Sequence, residues 1–253
     1  MSDKLLTTRE AARFLRASEA SLRRWADAGL LPASRVGRRR ARRFKEDDLL
    51  RFMGPEQGGP SRATTGLARA ISLENMFVGL GSHLGSFYST DAGRLRLGLP
   101  FLRDGIQSGQ PCVLIALPDA REQYAEALRR EGIDVEAAVR SGLLTVLLIP
   151  PPPPAPRLSP EQFIELLEGV FTDITRRRPG PLRLLGEPVA GLAAVESVKA
   201  FLSFEHQCGA LAKRFPVVIL CAYDVREFDG QTIIECLKLH HDTFAYELGY
   251  FLS

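Results

Sequence analysis

The sequence predicts an α/β protein in two parts: a small basic head of short helices and one hairpin, and a larger body built on a parallel sheet. Three observations carry this reading. Beyond residue 70, short apolar runs of strand character alternate with longer segments of helical spacing, the order expected of a parallel sheet covered by helices on both faces. Charge is unevenly divided. Residues 1–53 hold 14 of the 33 Lys/Arg but only 7 of the 30 Asp/Glu, so the head is strongly basic and the body mildly acidic, which points to a polyanionic partner for the head alone. Between them, residues 55–70 are rich in Gly, Pro, Ser and Thr and lack hydrophobic periodicity, the composition of a flexible linker. The expected boundaries are therefore 1–54, 55–70 and 71–253.

In the head, Thr7 and Glu10 stand in capping-box spacing, so a helix should begin there and bury Ala11, Ala12, Phe14 and Leu15. Ser18 is a natural cap for a second helix whose apolar stripe is Leu22, Trp25 and Ala26. Gly29 then supplies a left-handed stop, and Pro32 turns the chain away. With Leu22 and Trp25 inward, helical geometry turns Arg23 and Arg24 outward and leaves Ser21 flanking the stripe. Val36-Gly37-Arg38 makes a tight turn in a hairpin whose second strand ends near Phe44. Glu46, Asp47 and Asp48 favour the positive N-terminus of a third helix that packs through Leu49, Leu50 and Phe52. Basic runs such as RVGRRRARR (residues 35–43) are usually solvated surface. Here capped helices and a core tryptophan flank the run, and arginine forks suit both phosphates and guanine edges.

Together, EAARFLRASEASLRRWADAGLLP and GRRRARRFKEDDLLRF resemble the MerR/excisionase-type winged helix-turn-helix over nearly all of residues 5–53. The resemblance implies that Ser21, Arg23 and Arg24 lie on a recognition helix and Arg38, Arg39 and Arg40 on a wing, with Arg35 beside it, and that the partner is double-stranded DNA. MerR regulators continue into a long dimerising helix, whereas this chain breaks at GPEQGGPSRATTG. Homo-oligomerisation is accordingly expected through the body, at ISLENMFVGL and the apolar C-terminal helix.

In the body, HLGSFYS, PCVLIAL, LLTVLLI, LRLLGEPV and VVILCAY read as buried strands. RLRLGLPFLRDGIQSG, REQYAEALRREGIDVEAAVRSG, SPEQFIELLEGVFTDITRRR and VKAFLSFEHQCGALAKRF read as the intervening helices, and QTIIECLKLHHDTFAYELGYFL adds one at the C-terminus. The prolines at 150–154 read as an extended loop leaving the third strand. Such sheets hold ligands at strand C-terminal ends. The chain has no G-x-x-x-x-G-K-[ST] and no Gly-Lys pair, and its first strand ends in FYSTDAGR, so nucleotide hydrolysis on a P-loop is not expected.

Composition excludes other classes. An apolar fraction of 45% with 25% charged residues is that of an ordinary globular protein. The polar N-terminus does not read as a signal peptide and no apolar run reaches membrane length, so a cytoplasmic protein without membrane contact is expected. Four cysteines without CxxC pairing read as reduced thiols. Cys236 and His240 are four apart, and His206 and Cys208 two apart, but the second spacing turns the side chains away from each other on a helix. No metal or cofactor is expected.

GSHLGSFYS, FLRDGIQSGQPCVLIA, GIDVEAAVRSGLLTV, GEPV, the FEH segment and FPVVILCAYDVREF resemble the MEDS sensory domain over about residues 80–245. This family is related to KaiC-like and RecA-like sheets and is found fused to DNA-binding or kinase modules. The resemblance implies a RecA/KaiC-like sheet lacking a P-loop that senses a small molecule, with hydrocarbon-derived compounds as the ligand class. It places His83, Tyr88, Glu187, Glu205, Cys221, Tyr223 and Asp224 at the ligand. Simpler roles compete: Cys221 as a buried small hydrophobe, Tyr223 and Asp224 as local caps of a strand end, His83 as a histidine bonded to backbone. Glu187 and Glu205 are stronger candidates, because carboxylates in apolar surroundings are rarely buried without a partner. The expected function is a non-enzymatic transcription regulator responding to a small organic effector. The alternatives are an architectural excisionase-like protein whose body serves only assembly, and a nucleotide-binding RecA-like regulator. Effector-dependent DNA binding separates the first alternative, and nucleotide turnover the second.

Overall fold

The computed structural model describes residues 5–15, 19–27, 31–37, 41–53, 70–74, 76–149 and 157–253. The expected Ser18 cap, Gly29 stop, Arg38–Arg40 wing tip, 55–69 linker and 150–154 proline loop lie outside the described residues. The chain divides into two units, the larger comprising Ile71–Thr243 and Leu248–Ser253.

In the smaller unit, β1 (Leu5–Thr7) leads into α1 (Thr8–Phe14) and α2 (Glu19–Asp27), followed by β2 (Ser34–Val36), β3 (Ala41–Lys45) and α3 (Glu46–Met53). The capping box at Thr7 forms: its hydroxyl accepts from Glu10 N at 3.2 Å, and the Glu10 carboxylate accepts from Thr7 N at 2.8 Å. Leu22, Trp25, Phe44 and Leu49 are buried together with Leu6, Ala11, Ala12 and Leu31, the inward stripe that helical spacing predicts, while Phe14 and Leu15 are half-buried. Strand β1 was not foreseen. Three residues show no usable alternation, and the strand exists because β3 pairs with it antiparallel on one side, Leu6 opposite Phe44, and with β2 on the other.

In the larger unit, β4 (Ala70–Leu73) and β5 (Met76–Gly79) form a two-stranded sheet. This is the ISLENMFVGL segment expected to carry self-association; its Ile71, Leu73 and Val78 are buried within the chain. The main sheet contains β6 (His83–Tyr88), β7 (Cys112–Ile115), β8 (Leu144–Leu147), β9 (Leu182–Gly186) and β10 (Val217–Asp224), in the order β6-β10-β9-β7-β8, and every pairing is parallel. The connections are α4 (Asp91–Gln107), α5 (Pro118–Arg130), α6 (Val135–Arg140), α7 (Pro160–Arg177), α8 (Pro188–Ala194) and α9 (Val198–Arg214), with α10 (Gly230–Leu239) after the last strand.

Two expected segments are cut differently. The single helix expected over 121–142 is two, because Gly132 takes φ +80° and Asp134 caps a new start by accepting from Ala137 N at 2.7 Å. The C-terminal helix stops at Leu239, and two short 3₁₀ turns follow. The GEPV run also ends its strand at Gly186, since Pro188 suits the first turn of α8.

Register assigns each side chain to a face. Val113, Leu184, Ile219 and His83 are neighbours across the sheet, and so are Ile115, Gly186, Cys221 and Gly85. Because side chains alternate, these rows share one face and merge with Phe163, Leu167 and Phe171 of α7, Ala190 of α8 and Phe201, Phe204 and Cys208 of α9 in one apolar core. The opposite face carries Leu84, Ser86 and Tyr88 of β6 and Arg183 of β9. It is covered by α4, whose Phe101 and Leu102 carbonyls accept from Arg183 and Cys112. Arg183 is completely buried. Its guanidinium donates to Gln110 Oε1 at 2.8 Å, Phe101 O at 3.1 Å and Ser72 O at 2.9 Å, which offsets the cost of burying a charge and ties β4 to the main sheet.

Candidate functional site

The two faces divide the predicted ligand residues into two groups. On the α4 face, at the C-terminal ends of the strands, Tyr88, Glu187 and Asp224 converge on Arg94 from the first turn of α4. Arg94 Nε donates to Tyr88 Oη at 3.0 Å and lies 3.2 Å from Glu187 Oε1, while its other nitrogens reach Gln123 Oε1 at 2.8 Å and Asp224 Oδ2 at 3.8 Å. Glu187 is buried, and Oε1 has no aligned hydrogen-bond donor among the described residues. Burial outweighs the Arg94 charge and raises its carboxyl to about 7. Asp224 has the opposite balance. Arg226 donates to it from Nε at 2.8 Å and from the backbone at 3.1 Å, which holds its carboxyl below the usual range. That local bonding is the strand-capping role weighed for Asp224.

On the other face, four buried side chains meet. His83 Nε2 is 3.3 Å from Cys221 Sγ and 3.4 Å from Glu205 Oε2. Cys221 donates to Glu205 at 3.7 Å, and His240 Nε2 lies 3.4 Å from the same oxygen. The elements responsible are β6, β10, α9 and the residue that ends α10. Gly85 permits the approach, since a Cβ there would sit 3.0 Å from His240 Cγ. Burial resists ionisation of Glu205, but the two imidazoles beside it prevail and hold it at about 2, whereas burial and the neighbouring His240 lower His83 to about 4. The backbone N of His83 donates to Asp242 at 3.0 Å, so only its main chain has the bland role weighed for it. Tyr223 stacks on Phe87 at 4.9 Å and meets Phe228 and His240 edge-on. Its buried hydroxyl lies beside the Cys236 thiol.

A pocket opens between β7, β9 and β10 and helices α7, α8 and α9. Its walls are Ile115, Phe163, Leu184, Phe204 and Cys208, with Glu187, Glu205 and Cys221 as polar points. The space open to the centre of a water molecule is about 20 Å³, room for roughly one water. Tyr88 and Tyr223 are not among the residues of this wall. Tyr88 faces the other side of the sheet by parity, and Tyr223 is packed into the aromatic cluster. His83, Tyr88, Tyr223 and Asp224 therefore lie outside the pocket wall that contains Glu187, Glu205 and Cys221.

In the head, Arg23 is exposed on α2 and bridged to Glu19 at 3.0 Å. An exposed i,i+4 pair of this kind contributes roughly 0.3–0.5 kcal/mol, so contact with a phosphate or base could replace it at little cost. Arg35 is exposed on β2. The side chains of Ser21 and Arg24 and all of Arg38–Arg40 lie outside the described residues.

Sequence reasoning missed Arg94, which stands in a helix without any motif, and His240, weighed only as a partner of Cys236. It also missed Arg183, hidden in an apolar strand. For His240 a signal existed, the HHD triplet ending an amphipathic helix, but only packing shows which histidine turns inward.

The family described as MEDS, the MEthanogen/methylotroph, DcmR Sensory domain, matches residues 82–241, and a helix-turn-helix domain family matches residues 5–54. The transcriptional repressor DcmR of Methylorubrum extorquens is 34% identical over 254 residues, spanning 97% of this chain and 93% of that protein. A KaiC-like protein of the archaeon Pyrococcus horikoshii aligns at 15% identity and a TM-score of 0.42, over 57% of this chain and 61% of its own, less than two thirds of its length. With the sensory-domain match covering more than half of the chain and the repressor's similarity running through both units, the chain belongs to the MEDS family and carries a helix-turn-helix domain ahead of the sensory one.

Proposed function

We propose that this protein is a transcription regulator whose MerR-type winged helix, within residues 1–54, binds double-stranded DNA, and whose body, residues 71–253, senses a small organic effector. The linker 55–70 joins the two, and the body supplies self-association, with Ile234 of α10 among its exposed apolar side chains. The observation that carries this reading is the full-length similarity to a transcriptional repressor, through both the helix-turn-helix and the sensory region. The pocket supports it: an apolar lining with a few directed polar groups suits a compact organic molecule better than a triphosphate. The cytoplasm is the setting such a regulator requires.

The experiment is DNA binding by the full chain, followed by fluorescence anisotropy against duplexes selected from random sequence, with and without a panel of short-chain hydrocarbon derivatives. One class of compound should change the affinity of the selected duplex. Glu187→Gln, at a polar point of the pocket wall, should abolish that response while leaving effector-free binding intact, since it conserves volume and removes only a charge. Micromolar ATP binding with hydrolysis would overturn the reading. DNA binding that no compound alters would favour an architectural role.

A further inference from the structure

The cluster of His83, Glu205, Cys221 and His240 gathers four side chains able to ligate a metal in one buried place. His240 Nδ1 lies 2.7 Å from the carbonyl oxygen of Cys236. A carbonyl can only accept, so Nδ1 carries the hydrogen, and Nε2 is the ring nitrogen turned to the cluster. Nε2 stands 3.4 Å from a carboxylate oxygen of Glu205. His83 Nε2 and Cys221 Sγ converge on the same oxygen. The four residues are between 0% and 5% exposed, so four side chains able to ligate a metal are packed together out of water.

We propose that these four side chains form a binding site for one divalent transition-metal ion of the zinc class, held by His83 Nε2, His240 Nε2, Glu205 Oε2 and Cys221 Sγ. The four ligand atoms all lie within 4.8 Å of one another. The separations centred on Glu205 and His83 run 3.4, 3.4, 3.7 and 3.3 Å. Ligands bound tetrahedrally at about 2.0–2.3 Å are separated by roughly 3.3–3.8 Å, so the side chains already stand near the corners of such a site. Two imidazoles, a thiolate and a carboxylate are the borderline donor set that selects Zn²⁺, Co²⁺ or Ni²⁺ over Ca²⁺ or Mg²⁺. Charge also balances. On binding, the Cys221 thiol releases its proton to solvent, and one thiolate with one carboxylate neutralises a divalent ion, which suits a buried site. The Cys236 carbonyl supplies the outer hydrogen bond that orients a metal-bound histidine.

The ligands come from β6, β10, α9 and the end of α10, so the ion would staple the C-terminal helix to the sheet. Glu205 and Cys221 also line the pocket, which places the ion in its wall. The inference does not rest on the effector reading, and it departs from the sequence expectation that no metal is bound.

The test uses the full-length protein, stripped with a chelator and titrated with Co²⁺ and then Zn²⁺. One Co²⁺ per chain is expected, with the intense visible bands of a tetrahedral site and a near-ultraviolet thiolate-to-cobalt charge-transfer band. One equivalent of Zn²⁺ should bleach both and raise the melting temperature. Cys221→Ser should lose the charge-transfer band, and Cys112→Ala, on the other face of the sheet, should keep it. His240→Ala should weaken Co²⁺ binding by about 100-fold or more. If a variant fails to fold by circular dichroism, the wild-type spectrum and stoichiometry still decide. A folded wild-type protein that binds no Co²⁺, or binds it only with the pale octahedral spectrum and no sulfur band, overturns the proposal. So does a charge-transfer band that survives in folded Cys221→Ser.

Discussion

Replacing Glu187 by Gln should stabilise the protein, and by an amount that grows with pH. Glu187 sits buried at the end of β9, with its carboxyl raised from 4.5 to about 7 by burial against the partial relief of Arg94. A carboxyl that is harder to ionise in the folded state holds its proton there while the unfolded chain has lost it. Its contribution to stability is therefore complete below pH 4.5 and declines as pH rises, until the loss is complete above about 7. Each unit of difference corresponds to 1.36 kcal/mol, which gives a total near 3 kcal/mol, of which about 2–3 kcal/mol falls between pH 5 and pH 8. Gln keeps the shape and cannot ionise, so it should track the protonated wild type at low pH and exceed the wild type at high pH.

The comparison must be a difference, because other groups slope the other way. His83 is lowered to about 4, so the unfolded chain binds that proton more readily and stability from this group rises with pH up to its ordinary value of 6.5. Glu205 and Asp224 are depressed, and their contributions are lost only as pH falls below the usual carboxylate range. All three are present in both proteins and cancel. The assay is urea denaturation of the full chain at several pH values, followed by circular dichroism, with the variant-minus-wild-type difference plotted against pH. A flat difference, or a variant less stable at pH 8 than wild type, would show that Glu187 is ionised and paired with Arg94 at neutral pH.

Packing on the α4 face gives a paired test. Gly105 has no room for a methyl, since a Cβ would lie 2.5 Å from Cys112 Sγ and 2.7 Å from Arg183 Cδ, whereas exposed Gly169 in α7 meets nothing within 4 Å. Gly105→Ala should cost about 1–3 kcal/mol and Gly169→Ala should gain about 0.5–1 kcal/mol, both read from urea midpoints. Trp25→Ala should unfold the head, since it removes a core aromatic that contributes roughly 3–5 kcal/mol; an unmoved thermal transition of the head would mean that the phase of α2 is wrong. Replacing Arg38, Arg39 and Arg40 with Ala should weaken cognate and random duplexes alike and flatten the salt dependence by about one unit for each phosphate the wing no longer neutralises, and an unchanged slope would take the wing out of the interface.

How far the body was legible follows from what its elements depend on. All five strands of the main sheet could be read because each carries a short, largely apolar stretch, buried along most of its length in four of them and aliphatic apart from Thr145 in the partly buried β8, and that is a local property. The β4–β5 pair could not, because its strands form a small sheet with each other, away from the main one, and carry no continuous apolar run. The split at Gly132 was available in the sequence as a Gly followed two residues later by a capping Asp, but helical spacing on both sides concealed it. In the head, capping chemistry is local, and the Thr7–Glu10 box was correspondingly readable.

The candidate residues show the same limit at the level of a single side chain. His83 and Tyr88 stand five apart on β6, and Tyr223 and Asp224 stand next to each other on β10, so period two alone puts the members of each pair on opposite faces. Strand parity is thus sufficient to separate Tyr88 and Asp224 from His83, Cys221 and Tyr223. Parity cannot say which helix residues meet each face. Glu205 joins Cys221 because α9 presents that side chain and not exposed His206, and His240 joins them because α10 ends where its ring can lie over Gly85. Those are facts of helix phase and of one missing Cβ, set by tertiary packing. The buried four-residue cluster therefore becomes visible only when strands and helices are assembled, even though each of its members is an ordinary residue in its own segment.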